Sequence, residues 1–280
     1  MTYAEPVTTS LVPDAGQPSA RPALEARSIV KSFGTVRALR GASFEAFPGE
    51  VTALVGDNGA GKSTLVKCLA GVIQPDAGRI QVAGRDVVMH NPVQANGFGI
   101  ETVYQDLALA PDLDAAANVF LGRELRRWKV LHNAKEMRRR TAESFAQLGV
   151  GMVQDLRVPV ASFSGGQKQS VAIARAAMWA KNVILMDEPT AALGVIQTKK
   201  VLELIERVRD SGLAVVFISH NLPQVLEVAD RIEVMRLGAR VARFSREDEG
   251  LTVDRLIASI SGAYRNEPET GSENGQGAAA

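Results

Sequence analysis

A single cysteine, Cys68, stands in a chain of 280 residues, so no intramolecular disulfide can form. Histidine is nearly as scarce. The three present, His90, His132 and His220, are scattered, which excludes a cysteine-rich zinc site. Charge of one sign is missing too: 32 Lys+Arg against 31 Asp+Glu leaves a net charge of +1. That balance gives no basic excess to drive nucleic-acid binding by counterion release, or to hold the chain on an anionic membrane. No apolar run approaches the ~18 residues that read as a membrane span, and the longest, such as Leu213 to Ile218, have strand length. Residues 1–22 lack the apolar core of a signal peptide. There is no internal repeat. These absences predict a reduced, soluble, cytosolic chain whose membrane role, if it has one, comes through a partner that supplies the span.

An apolar fraction of 46% with 22% charged residues is close to the globular average and suffices for a sizeable core. Pro6, Pro13, Pro18 and Pro22 among small polar residues predict a disordered tail over 1–22, and a Gly-, Glu- and Ala-rich stretch predicts another over 266–280. The folded part is then 23–265. Val51 to Val55, Val183 to Met186 and Ala214 to Ile218 are short apolar runs, suited to a parallel sheet covered on both faces. Leu24 to Phe47, and Gly78 to Val88 around Ala83-Gly84, read as antiparallel. From about 112 to 180 the pattern is helical. An α/β core, an antiparallel β layer and a helical insert are expected.

Gly56-Asp57-Asn58-Gly59-Ala60-Gly61-Lys62-Ser63-Thr64 matches G-x-x-x-x-G-K-S/T in full, between an apolar strand and a helix over Lys62 to Ala70. Its glycines let backbone N–H groups wrap a polyanion, and the helix start adds favourable partial charge. Lys62 would neutralise β- and γ-phosphates, and Ser63 would bind Mg²⁺. The strand Val183 to Met186 ends in Asp187 and Glu188, where a ligand-facing carboxylate belongs. Asp187 would hold Mg²⁺ through water, and Glu188 could polarise a water for in-line attack on the γ-phosphate. His220 directly follows another strand; alone it reads equally as a γ-phosphate partner or an ordinary loop histidine.

Ser164-Gly165-Gly166-Gln167 opens an amphipathic helix, Lys168 to Ala180. Alone it is a flexible turn with an N-cap. It also has the makings of a second anion site: a hydroxyl, glycine N–H groups and a helix dipole. Two phosphate-type sites in one chain are explained by a head-to-tail dimer, each nucleotide lying between the Lys62 loop of one subunit and the Ser164 helix of the other.

Taken together, and in this order, these segments resemble the ATP-binding cassette (ABC) transporter ATPases over roughly residues 24–262. Phe33 is similar to the aromatic that stacks on adenine, Gly56 to Thr64 to Walker A, Gln105 to the Q-loop glutamine, and Phe163 to Gln167 to the signature. Val183 to Glu188 is similar to Walker B with its catalytic glutamate, and His220 to the switch histidine. The resemblance implies a RecA-like P-loop NTPase core with an antiparallel β subdomain and an α-helical subdomain over about 106–180. It implies ATP and Mg²⁺ as ligands, with Gln105 sensing both the γ-phosphate and the metal. Its implied partners are a second ATPase subunit, transmembrane permease subunits and, indirectly, an extracytoplasmic sugar-binding protein, with no nucleic acid. The chain would then work at the inner face of the cell membrane, held there by its permease.

One position departs from the family pattern. Ala191-Ala192-Leu193-Gly194 stands where Ser-Ala-Leu-Asp is usual, and the missing Asp would face the partner's Walker A. That run, with Asp57 to Ala60 and Ile100 to Gln105, is most similar to single-cassette monosaccharide importers of the fructose/ribose type. A soluble ATPase acting on ribosomes or DNA is the alternative. Ribosome-type members carry two cassettes, and DNA-repair members need a coiled coil for which the interval between Lys62 and Ser164 has no room. A non-hydrolysing nucleotide-dependent scaffold is a third reading, opposed by Glu188 and His220. Among weaker features, the basic run Arg123 to Arg140 reads first as a solvated helix face and second as a surface near the permease or lipid headgroups. Trp128 and Trp179 read as packing. Cys68 reads as a buried small residue whose alkylation would disturb nucleotide binding indirectly.

Overall fold

The computed structural model describes residues 21–127, 131–151, 153 and 155–266. The two expected tails lie outside that set except at 21, 22 and 266, and so do Trp128 and Lys129. Asn266, assigned to the tail, is pinned to the fold: its Oδ1 accepts from Arg243 N at 2.9 Å, and its Nδ2 donates to Arg243 O at 2.6 Å.

The chain opens with two long strands, β1 (Leu24–Phe33) and β2 (Val36–Ala46), and then β3 (Val51–Gly56). Helix α1 (Lys62–Leu69) leads to the short hairpin β4 (Ala77–Val82) and β5 (Arg85–Val87). Helix α2 (Pro92–Gly97), strand β6 (Ile100–Val103) and helix α3 (Ala115–Val119) follow. A two-residue pair, β7 (Arg126–Arg127) and β8 (Leu131–His132), precedes α4 (Ala134–Gln147) and α5 (Gly165–Trp179). The last part alternates β9 (Val183–Asp187), α6 (Val195–Asp210), β10 (Ala214–Ile218), α7 (Leu222–Val228), β11 (Arg231–Arg236), β12 (Ala239–Ser245) and α8 (Val253–Ser261).

Three sheets result among the described residues. Strands β2-β1-β4-β5 form an antiparallel layer, β12-β11-β3-β10-β9-β6 the central sheet, and β7-β8 a small ribbon. The ribbon is the small strand content of the segment expected to be mainly helical. In the central sheet every neighbouring pair is parallel except β11-β12. Parallel strands need both faces covered, and the pleat distributes side chains with period two. Val51, Ala53 and Val55 of β3, Val215 and Phe217 of β10, and Ile184 and Met186 of β9 face one core, shared with α3 to α7. Leu54, Val216, Ile218, Val183 and Leu185 face the other, shared with α1 and the antiparallel layer. Fully burying one such side chain contributes about 1.5–3 kcal/mol, and a one-residue slip of a central strand would send each of these side chains into the opposite core, against packing shaped for another residue.

The helices follow the same logic. In α6, Val201, Leu202, Leu204, Ile205 and Val208 are buried, the three- and four-residue spacing of one face. Trp179 packs as expected: it meets Phe120 edge-on at 5.4 Å, and its Nε1 donates to Val119 O at 2.9 Å. Among the described residues, part of the basic run is paired, Arg123 with Glu101 among them. Arg138 pairs with Asp114, Arg139 with Glu136 and Glu143, and Arg140 with Glu136. This is a solvated, counter-charged face.

Candidate functional site

Sheet order decides what meets. β3, β10 and β9 are adjacent and parallel, so their carboxyl ends lie side by side. From β3 emerges the loop 57–61, from β9 the pair Asp187-Glu188, and from β10 Ser219-His220. β6, the next neighbour, ends at Val103 and leads through Tyr104 to Gln105. Crevices beyond the carboxyl ends of parallel strands are where ligands bind in such sheets.

The 57–61 loop is closed by backbone constraint and by its own lysine. Gly56 has φ 153°, and a Cβ there would lie 2.3 Å from the carbonyl oxygen of Met235. Gly61 has φ 98°, and a Cβ would lie 2.8 Å from the carbonyl oxygen of Ala38. Any other residue at either place would push the loop off its strands. Lys62 Nζ donates to Gly56 O at 2.7 Å and to Asp57 O at 3.0 Å. Asn58 N donates to Asp57 Oδ1 at 2.8 Å, and Ala60 N to Asp57 O at 3.1 Å. Ala60 is buried, so only its backbone could touch a ligand. Helix α1 begins at Gly61 with no side-chain cap and no acid in its first turn. Its amide ends and positive partial charge therefore suit an anion. Ser63 is exposed and Thr64 half-buried.

Burial lowers the Lys62 ammonium from its ordinary pKa, while Glu188, Asp57 and Asp187 pull it back up. Burial and the neighbouring Glu188 raise the Asp187 carboxyl, with Lys62 and Lys67 opposing. Both groups are poised for an opposite charge they do not fully find in the chain. Mg²⁺ with a polyphosphate fits them: it offers a cation to Asp187 and Ser63, and anionic oxygens to Lys62.

Glu188 adopts the left-handed region, φ 51°, an uncommon conformation for a residue with a long side chain. Its N donates to Ile218 O at 3.0 Å, locking the end of β9 to β10. Its carboxylate Oε2 lies 2.9 Å from His220 Nδ1. His220 is exposed and lines a cleft of about 490 Å³ with Gly56, Asp57, Asn58 and Ser219. Behind the pair, Thr190 Oγ1 donates to Gln224 Oε1 at 2.6 Å, and Asn221 Oδ1 accepts from Gln224 N at 3.2 Å. This tie between the Glu188 loop and α7 was not read from the sequence. Its two ends are 34 residues apart, and neither carries a motif.

Gln105 is exposed, just beyond β6. Phe33 ends β1 half-exposed, with Lys31 Nζ 5.8 Å above its ring. Ser164 caps α5: Gln167 N donates to Ser164 Oγ at 3.4 Å, and Ser164 N to Gln167 Oε1 at 2.8 Å. This reciprocal capping box gives the Gln167 side chain a structural task, so in this chain it is occupied with the helix start. Ser164 and Gly165 are exposed, and a Cβ on Gly165 would lie 3.3 Å from Leu193. The loop, Asp187, Glu188 and His220 are thus gathered into one crevice. Ser164 and Gly165 stand beside the 191–194 segment instead.

A family model described as "ABC transporter" matches residues 39–191, more than half of the chain. The chain is 45% identical to the fructose import ATP-binding protein of Rhizobium meliloti over 248 residues, covering 86% of this chain and 95% of that one. It is 46% identical to the xylose/arabinose import ATP-binding protein of Sulfolobus acidocaldarius over 233 residues, covering 83% and 91%. Among solved structures, the ADP conformation of an ATP-binding cassette of an ABC transporter superposes with a TM-score of 0.71 at 26% identity, covering 86% of this chain and 96% of that one.

Proposed function

Because the chain belongs to the ABC transporter family of ATP-binding cassettes, we propose that it is the ATP-hydrolysing subunit of an importer that takes up a monosaccharide. The sugar class rests on the fructose and xylose/arabinose import relatives. The observation that carries the hydrolytic reading is the Glu188–His220 contact of 2.9 Å, set beside the Lys62 loop by the order of β3, β10 and β9.

The 56–64 loop and the α1 amides would bind the β- and γ-phosphates, with Lys62 neutralising them. Ser63, Asp187 and Gln105 would hold Mg²⁺, which when bound supplies positive charge against the phosphate oxygens. Glu188 would orient a water and take up its proton as the water oxygen bonds to the γ-phosphorus. The bond from phosphorus to the bridging oxygen breaks at the same time, leaving ADP and phosphate. His220 would hold the Glu188 carboxylate in place and reach the γ-phosphate. Phe33 would stack on the adenine. Ser164, with the N–H groups of Gly165 and Gly166, would close the same nucleotide from a second copy of the chain. Catalysis of this kind is mainly positioning and electrostatics. Closure of the dimer would act on a separate permease, and the sugar would reach that permease from an extracytoplasmic binding protein.

The test is phosphate release from ATP·Mg²⁺ by the chain, alone and in vesicles with its permease and binding protein. Hydrolysis stimulated by one pentose or hexose is expected. ATP binding with no phosphate release in either setting would favour the non-hydrolysing scaffold.

A further inference from the structure

The loop after Gln105 is irregular, yet it is held at three places. At its start, Val103 of β6 pairs with Met186 of β9. At its end, the fully buried Asn118 grips Ala110 through both N and O, at 2.7 and 3.0 Å, and also donates to Leu113 O and Asp114 O. In the middle a single guanidinium does the holding. Arg175 Nη1 donates to Ala108 O and Nη2 to Leu107 O, both at 2.9 Å. Ala108 is itself in the left-handed region, φ 48°, which turns its carbonyl out of the ordinary strand direction. Arg175 lies on α5, the helix that begins at Ser164 and buries Gln169 to Ala174 in the core. Its charge is partly desolvated, with Glu101 of β6 favouring it and Arg123 opposing it.

One planar fork therefore joins the segment that follows Gln105 to the helix that presents Ser164. In the proposed dimer these two groups serve different nucleotides: Gln105 its own chain's, and Ser164 the partner's. We propose that Arg175 is a positioning residue for hydrolysis, tying the Gln105 loop to the Ser164 helix so that both move as one body between the two nucleotide sites. The inference rests on the proposed ATPase reading. A lysine carries its donors on one nitrogen at the end of a shorter reach, so Arg175→Lys keeps the charge but loses the two parallel bonds made from separate nitrogens of a planar fork.

The experiment compares wild type, Arg175→Lys and Arg175→Met in steady-state ATP hydrolysis, ATP binding, thermal melting and amide exchange. Expected for both variants is a fall in kcat of about tenfold or more, as for loss of a charge-assisted hydrogen bond. KM and ATP affinity should stay within about twofold, since the Lys62 loop sits on other elements, and melting should be near wild type. Faster exchange should be confined to amides of 105–110. Wild-type kcat in Arg175→Lys would overturn the proposal, because charge alone would then suffice. A parallel loss of kcat, ATP affinity and melting temperature in both variants would also overturn it, marking a merely structural role. A wild type that releases no phosphate would instead count against the ATPase reading, and the exchange pattern would still decide whether Arg175 holds the loop.

Discussion

The Lys62 loop and the Ser164 turn are made of the same parts: glycines, a hydroxyl and the amide end of a helix. They differ in what the sheet brings to them. Around Lys62, three adjacent strand ends deliver Asp187, Glu188 and His220 into one crevice, and charges of both signs shift one another across it. Around Ser164 the neighbour is Leu193, and the next helix begins with Val195 and Ile196, 88% and 72% exposed. The first is a pocket with its chemistry in place. The second is a donor surface whose bordering apolar residues face solvent. The contrast fits the proposed nucleotide site shared between two copies of the chain.

The largest effect on this difference between the two faces is expected at Glu188. Glu188→Gln should keep ATP binding and lose turnover by about a thousandfold or more, read as phosphate release. Near-wild-type turnover would remove the distinction between the two faces. Lys62→Ala is next. It takes a cation from a crevice holding Asp57, Asp187 and Glu188, and ATP affinity should fall by about a hundredfold by calorimetry. An unchanged affinity would mean that the Ser164 face, not the loop, holds the phosphates.

A third prediction concerns the scaffold beneath the loop. Glu233 of β11 is fully buried beside Leu54 of β3, near Arg240 at 3.2 Å and Arg243 at 3.4 Å. Burial pushes its carboxyl up to about 7, against the pull of both arginines. The folded state thus keeps a proton that the unfolded state gives up near 4.5. Stability carried by Glu233 is therefore present below that value and lost as pH rises towards 7, on the order of 3 kcal/mol in all. Denaturation midpoints of wild type minus those of Glu233→Gln should fall between pH 5 and pH 8; a flat difference would contradict the buried, protonated carboxyl. The smallest effect is expected beside Ser164. Gly194 caps α6 at φ −71° without a side-chain bond, and a Cβ there meets only the movable end of Gln197. Gly194→Asp should raise stability by a few tenths of a kcal/mol as a better N-cap, seen as a slightly higher melting temperature.

Much of this was legible because it is local. The Gly56–Thr64 run lies between a strand and a helix whose apolar patterns are plain, and Val183 to Met186 and Ala214 to Ile218 read as strands from their Val/Ile content. The β11-β12 hairpin was not read. Arg231, Glu233, Arg240 and Arg243 interrupt its apolar residues: Arg240 pairs with Glu233 inside the hairpin, while Arg231 and Arg243 pair with Glu50 and Glu45, nearly two hundred residues away in sequence. The β7-β8 ribbon is too short to leave a period. Gln167 is expected as a ligand contact from the resemblance, and its Oε1 also accepts from Ser164 N in a capping box, a second use that only geometry brings out. Arg175, and the Thr190–Gln224 tie, act across 34 to 68 residues, a separation at which a single sequence carries no pattern.

In the proposed dimer the Ser164 face completes the Lys62 pocket of another copy. The most direct measurement of this is the solution mass of Glu188→Gln with and without ATP·Mg²⁺, alone and combined with Ser164→Arg. A dimer holding two ATP is predicted for the single variant, and a monomer that still binds ATP for the double one. A Glu188→Gln chain that stays monomeric with ATP bound, or a dimer indifferent to Ser164→Arg, would contradict the account.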